Sequence, residues 1–141
     1  MKREFAVLVV AVLVLFAGCV EDTDGGIDEP YIASFSSTGG ECINSFSYNW
    51  SVESREAKDG GRAVNLSGNI EVEGASYTVD HVSLTEPKRG EARLEVDTGR
   101  NPRKEVRRCT ASIRYNTSVR IPSGYNVSVY HDGEEVSQIE G

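Results

Sequence analysis

Covalent chemistry in this sequence centres on three cysteines, Cys19, Cys42 and Cys109. A cysteine thiol can carry lipid, pair in a disulfide or act as a nucleophile, and its sequence context separates these roles. Cys19 follows two small residues at the end of an apolar run, which is the context of a cleavage site in exported chains. With Cys19 assigned to lipid, an even pair remains, which in an oxidising compartment predicts a disulfide between Cys42 and Cys109. Two buried thiols are the alternative.

The first twenty residues have the pattern of an export signal. Two basic residues precede an unbroken apolar run from Phe5 to Phe16. Even counted as far as Val20, this run has 16 residues, which is too short to cross the hydrocarbon core of a bilayer. Leu15 to Cys19 resembles a prokaryotic lipobox, although Phe16 stands where that motif prefers Leu. We expect residues 1–18 to be removed as a signal peptide and lipid on Cys19 to hold the chain at the outer face of the membrane. An ordinary secretory signal and an uncleaved anchor are the alternatives.

Charge is distributed unevenly along the chain. Removal of residues 1–18 would leave 13 Lys and Arg against 21 Asp and Glu, a net charge of −8. The segment from Arg100 to Arg108 nevertheless holds five cations and one anion, so everything else carries a net charge of −12. Asn101-Pro102 predicts a loop in this segment, and loops held by a rigid scaffold often carry binding residues.

This basic segment suggests a binding site. The candidate residues are Arg103, Lys104, Arg107 and Arg108. We expect them to form an anion-recognising patch for an acidic glycan of the cell coat or for another acidic surface protein, and no nucleic-acid partner is expected. The alternative is a solvated loop whose arginines pair with neighbouring acids.

Four asparagines stand in N-glycosylation sequons of the form Asn-x-Ser. They are Asn49, Asn65, Asn116 and Asn126. In each sequon the middle residue belongs to the inward set of an alternating strand, so Asn and Ser share the outward face, where a glycan is tolerated. The alternative is that Asn and Ser only decorate the polar face. A lipobox combined with several sequons indicates an archaeal cell surface.

Catalytic patterns are scarce in the sequence. The two histidines, His81 and His131, are 50 positions apart, and neither stands in a metal-ligand spacing. His81 should face water along a strand, and His131 precedes Asp132-Gly133 in a predicted hairpin turn. No catalytic residue, metal or cofactor is therefore assigned. A non-enzymatic binding module is favoured over a small exported hydrolase whose site is assembled from loops.

Hydrophobic residues alternate with polar ones from Tyr31 onward, which is the period of strands with one buried face. Turn residues rich in Gly, Pro, Asn and Asp separate the runs. The predicted strands are Ser45–Val52, Ala63–Val72, Tyr77–Leu84, Ala92–Val96, Ala111–Ile121 and Tyr125–Tyr130. This pattern predicts an all-β fold over residues 31–141, an immunoglobulin-like antiparallel β-sandwich of about six to eight strands, with a small barrel as the alternative. Residues 19–30 are acidic and contain glycine, which predicts a flexible tether between the lipid and the domain.

One stretch carries a family resemblance. The segment from Leu66 to Val136 contains Ser67-Gly68-Asn69-Ile70, Arg108-Cys109-Thr110-Ala111 and Tyr130-His131-Asp132-Gly133-Glu134. It resembles small uncharacterised secreted lipoproteins of halophilic archaea that have an Ig-like domain. The resemblance covers about half of the chain and implies a secreted Ig-like sandwich, without implying an activity or a substrate.

Overall fold

The computed structural model describes residues 27–141, all of which are strand, turn or irregular structure. The predicted signal peptide, Cys19 and most of the predicted tether lie outside the described residues. The strands are β1 (Tyr31–Ser37), β2 (Glu41–Cys42), β3 (Trp50–Glu56), β4 (Arg62–Gly74), β5 (Tyr77–Lys88), β6 (Glu91–Arg100), β7 (Arg108–Ile121), β8 (Asn126–His131) and β9 (Glu134–Ile139).

These strands form two sheets that pack face to face. Sheet A has the order β1-β7-β4-β3, and the short β2 also pairs with β7. Sheet B has the order β5-β6-β8-β9. Every pair of neighbouring strands is antiparallel except β6 and β8, which run parallel with Glu91 opposite Asn126 and Val96 opposite His131. After β6 the chain therefore crosses to sheet A, where it forms β7, and then crosses back to sheet B to form β8.

The core lies between the two sheets because alternate residues of each strand point inward. Along β7, every second residue from Ala111 to Ile121 is buried, whereas the residues that alternate with them are exposed or half-buried. Leu66 of β4 and Leu94 of β6 complete the centre of the same cluster. Burial of one such aliphatic side chain contributes about 1.5–3 kcal/mol relative to leaving it in water, so this alternation is the main reason for the fold.

The predicted fold class is confirmed, since residues 27–141 form an all-β sandwich of two sheets. Eight strands have six or more residues, and β2 adds a ninth of two residues. The predicted disulfide between Cys42 and Cys109 is also present, with the two Cα atoms 5.7 Å apart. This bridge ties β2 to the start of β7 within sheet A. Among the described residues, no helix is long and apolar enough to cross a membrane.

One predicted strand begins later than expected. Ser45–Val52 alternates over its whole length, but the structure has a strand only from Trp50. The side chain of Asn69 accounts for this difference: its amide donates to the carbonyl of Ser47 and its oxygen accepts from the backbone N–H of Asn49, both at 2.8 Å. These bonds replace the ladder bonds that a longer β3 would make with β4, and they leave Asn69 only 6% exposed. The sequence pattern also did not identify β1, β2 and β9 as separate strands.

Candidate functional site

The basic segment from Arg100 to Arg108, here called the arginine loop, lies at one end of the sandwich. Arg100 ends β6, Arg108 begins β7, and the residues between them form turns without strand structure, as predicted. Tyr31, where the chain enters the domain, pairs with Arg120 near the opposite end of β7. Twelve residues of extended strand separate Arg108 from Arg120, or about 40 Å. The arginine loop and the N-terminal side of the domain are therefore at opposite ends.

Asn101 organises the start of the loop. Its backbone N–H donates to the carbonyl of Ser76 at 2.7 Å, which joins the arginine loop to the turn between β4 and β5. Its side-chain oxygen accepts from the N–H of Arg103 at 3.0 Å, and its carbonyl accepts from the N–H of Lys104 at 3.2 Å. Such Asx turns are a local property of Asn next to Pro, so the sequence signal for a loop has a direct structural cause.

Two glycines allow the β1–β2 loop, the β4–β5 turn and the arginine loop to pack closely at this end. A Cβ on Gly74 would lie 2.3 Å from the carbonyl oxygen of Arg107, and a Cβ on Gly40 would lie 2.8 Å from the carbonyl oxygen of Gly74. Gly40 also donates its N–H to the carbonyl of Tyr77 at 2.9 Å. The disulfide at Cys109 fixes the residue after the loop. The arginine loop is thus held by backbone contacts and one covalent bond, which favours a single conformation.

The cations of the arginine loop make no ion pair among the described residues. Four ion pairs occur there: Lys88 with Glu91, Arg93 with Glu95, Arg114 with Glu41, and Arg120 with Asp59. Arg103, Lys104, Arg107 and Arg108 are all exposed. Within residues 27–141, the structure therefore differs from the alternative in which the loop's arginines pair with neighbouring acids.

A groove of about 480 Å³ lies beside the loop. Arg100, Arg107 and Arg108 line it together with Glu73, Tyr77 and Val106. Arg103 and Lys104, which the sequence grouped with Arg107 and Arg108, do not line it. The predicted patch is thus divided into two parts, and the part that lines the groove also includes Arg100, a cation of the loop that was not among the predicted site residues.

The four sequon asparagines lie at the surface of the domain in the expected orientation. Asn49, Asn116 and Asn126 are exposed and Asn65 is half-buried, whereas the middle residues Leu66, Thr117 and Val127 are buried and Trp50 is half-buried. Two of these sequons face each other across β4 and β7, because Asn65 pairs with Ser118 and Ser67 pairs with Asn116. Ser67 also donates its hydroxyl hydrogen bond to the Asn116 side chain.

A cluster of aromatic side chains around the buried His131 was not foreseen from the sequence. The hydroxyl of Tyr115 lies 2.7 Å from Nε2 of His131, and the rings of Tyr48 and Trp50 each lie 6.4 Å from the His131 ring. His131 is only 7% exposed, although the following Asp132-Gly133 forms the predicted hairpin turn. His81 faces water, as expected. The ring nitrogen Nε2 of His131 is therefore hydrogen bonded to a phenol, not to a serine, a cysteine or a carboxylate.

Metal ligands and relatives give no further indication of function. Within residues 27–141, no three side chains of His, Cys, Asp or Glu come close enough together to hold a metal ion. No protein-family model, curated protein or solved structure matches this chain. The candidate site is the arginine loop, which holds the four binding residues predicted from the sequence, together with the groove beside it.

Proposed function

We propose that this chain is an exported lipoprotein whose β-sandwich is a non-enzymatic binding module at the outer face of the membrane. Lipid on Cys19 would anchor it, and residues 19–30 would tether the domain. The arginine loop would bind an anionic partner at the cell surface. This proposal extends the resemblance to secreted lipoproteins of halophilic archaea, which implies a location without implying a ligand.

The cations of the arginine loop, which make no ion pair with any described residue, are the observation that carries the proposal. Residues 27–141 contain 13 Lys and Arg against 18 Asp and Glu, a net charge of −5, yet the loop from Arg100 to Arg108 has a net charge of +4. Five cations without an ion-pair partner in residues 27–141 keep their hydrogen-bond donors for a ligand. An arginine can hold a carboxylate or sulfate by two parallel hydrogen bonds, which a lysine cannot do.

The position of the loop also supports this proposal. A tether that enters at Tyr31 leaves the opposite end of the sandwich directed away from the membrane, where a partner in the cell coat is accessible. Long-range attraction would contribute little in strong brine, because the Debye length is about 3 Å at 1 M salt. Recognition at such salt would depend on direct contacts, and a loop held in one conformation loses little entropy on binding.

The test is capture of partners from native membranes with a charge-neutralised loop. Replacing Arg103, Lys104, Arg107 and Arg108 by Gln should leave the melting temperature nearly unchanged, because none of them has an ion-pair partner among the described residues. Mass spectrometry of the captured material should show loss of the partner seen with the unchanged chain.

A control variant distinguishes the effect of the loop's own cations from the effect of the domain's net charge. Gln at Arg55, Lys58, Lys88 and Arg89 removes four exposed cations elsewhere and should preserve capture. An unaltered capture profile with the loop variant would contradict the proposal. A large fall in its melting temperature would also contradict it, since the loop's charges would then serve the fold.

A further inference from the structure

The groove beside the arginine loop combines three kinds of chemistry. Arg100, Arg107 and Arg108 supply guanidinium donors, Glu73 supplies a carboxylate acceptor, and Tyr77 with the 60% exposed Val106 supplies apolar surface. Glu73 is exposed and makes no ion pair with these arginines or with another described residue. A volume of about 480 Å³ lies within the range of small-molecule sites. The groove is therefore more selective than a basic surface.

The carboxylate of Glu73 distinguishes between classes of anionic ligand. The Glu73 carboxylate repels any anionic group placed next to it, and it accepts hydrogen bonds but donates none. Sulfate has no donor to offer it, and a glutamate peptide offers a single backbone N–H for each side-chain carboxylate. An acidic sugar carries hydroxyl donors as well as an anionic group, and can satisfy both the arginines and Glu73. Tyr77 is half-buried and packs partly against the core, and the part of it that lines the groove adds apolar surface beside the polar groups.

The acceptor and the donors of the groove lie on two segments, the β4–β5 turn and the arginine loop, whose backbones are in contact. Glu73 and Tyr77 flank the turn between β4 and β5, whereas Arg107 belongs to the loop between β6 and β7. The bond from Asn101 to Ser76 and the close approach of Gly74 to Arg107 join the two connections. The relative placement of acceptor and donors is thus fixed by the fold.

We infer that this groove binds a carboxylated or sulfated sugar unit of a cell-surface glycan, with Arg100, Arg107 and Arg108 on the anionic group and Glu73 on a sugar hydroxyl. The inference rests on the proposed function, since it names the ligand class of the same loop. An acidic peptide is the competing ligand, and the presence of Glu73 disfavours it.

Titration calorimetry on the full chain in detergent tests the ligand class. The probes are a trimer of galacturonic acid, a sulfated disaccharide, a neutral galactose trimer, a glutamate peptide and sodium sulfate. At least one of the two acidic sugars should bind, and it should bind more tightly than the neutral trimer, the peptide and sulfate. Replacing Arg107 and Arg108 by Gln should raise the Kd of that sugar about tenfold or more, because their charge-assisted hydrogen bonds to the anionic group are lost.

Variants at three other positions separate this inference from the proposed function. Arg55→Gln with Lys58→Gln removes two exposed cations outside the arginine loop and should change the Kd of the sugar little. Glu73→Ala should weaken binding of the acidic sugar and strengthen binding of sulfate. If the peptide or sulfate binds as tightly as the sugars, or if Glu73→Ala strengthens the binding of every anion, the sugar inference is wrong, and the loop remains a site for anions in general. If no acidic sugar, peptide or sulfate binds, both proposals are contradicted.

Discussion

The phenolic oxygen of Tyr115 and Nε2 of His131 are 2.7 Å apart in the interior of the sandwich. Burial lowers the pKa of His131 to about 4, and the charge of Asp132 opposes this shift in part. Burial also raises the pKa of Tyr115 far above its usual value, with a further contribution from Tyr48. Both side chains are therefore neutral in the folded protein near neutral pH, and the hydrogen bond joins β7 of one sheet to β8 of the other.

His131 should make the stability depend on pH in mildly acidic solution. Because its pKa is lower in the folded than in the unfolded chain, the unfolded chain binds the proton first as pH falls. The contribution is complete above a pH of about 6.5 and is lost as pH falls toward 4. The stability lost over this pH range is at most about 3 to 4 kcal/mol. Urea unfolding of the unchanged chain and of His131→Phe measures this loss. The unchanged chain should lose its stability advantage over His131→Phe as the pH falls from about 6.5 toward 4. A stability difference that stays constant over this range would contradict the prediction.

The bridge between Cys42 and Cys109 should contribute a large part of the stability. The two cysteines are 67 positions apart, and closing a loop of that length in the unfolded chain gives about 4 kcal/mol. For a domain of this size, reduction should lower the melting temperature by about ten degrees or more. Scanning calorimetry with and without reductant measures the difference, and Cys42→Ser with Cys109→Ser should reproduce it. Non-reducing peptide mapping that finds two alkylatable thiols in the exported protein would refute the bridge.

The features predicted correctly from the sequence are those that depend on a single strand, on an even number of cysteines or on the local backbone. Alternation along β4 and β7 identified their buried faces because each of these strands packs its whole inward face on the core. Cysteine parity identified the bridge because only two cysteines remain after Cys19. Asn101-Pro102 identified the loop because both residues act on their own backbone.

The features that were missed depend on partners distant in the sequence. Asn69 ends the pairing of β3 by taking the backbone bonds of Ser47 and Asn49, and an Asn in an alternating strand gives no sign of this. His131 appeared to be a polar turn residue because its hydrogen-bond partner, Tyr115, lies on the other sheet. The parallel pairing of β6 with β8 is likewise a property of topology, since the alternation of a strand does not identify its neighbour.

Anchoring should depend on Cys19, which lies outside the described residues. Cys19→Ser removes the atom that would carry lipid and should move the protein from the membrane fraction to the medium. Fractionation followed by immunoblotting measures the shift. A Cys19→Ser protein that stays with the membrane after a high-salt wash would indicate an uncleaved anchor and would contradict the proposed lipid.

At least two of the four sequon asparagines should carry glycans in the native host, because all four are exposed or half-buried on an outward face. Intact-glycopeptide mass spectrometry decides this for Asn49, Asn65, Asn116 and Asn126. Ser51→Ala and Ser128→Ala remove the sequons of Asn49 and Asn126 without changing either asparagine, and should abolish modification there. Four unmodified asparagines would leave strand alternation as the whole explanation.

Gly74→Ala should separate the geometry of the arginine loop from its charge. The added Cβ would lie 2.3 Å from the carbonyl oxygen of Arg107, so the backbone of the loop must move, although every cation remains. We expect binding of the acidic sugar to weaken about as much as in the variant with Gln at Arg107 and Arg108. Gly60→Ala is a matched control at the other end of the sandwich: Gly60 has a φ of 85° and open space around it, so this change costs about 1 kcal/mol of stability without touching the loop. If Gly74→Ala binds the sugar as well as Gly60→Ala does, charge alone is sufficient and the fixed placement of Arg107 beside Glu73 has no part in recognition.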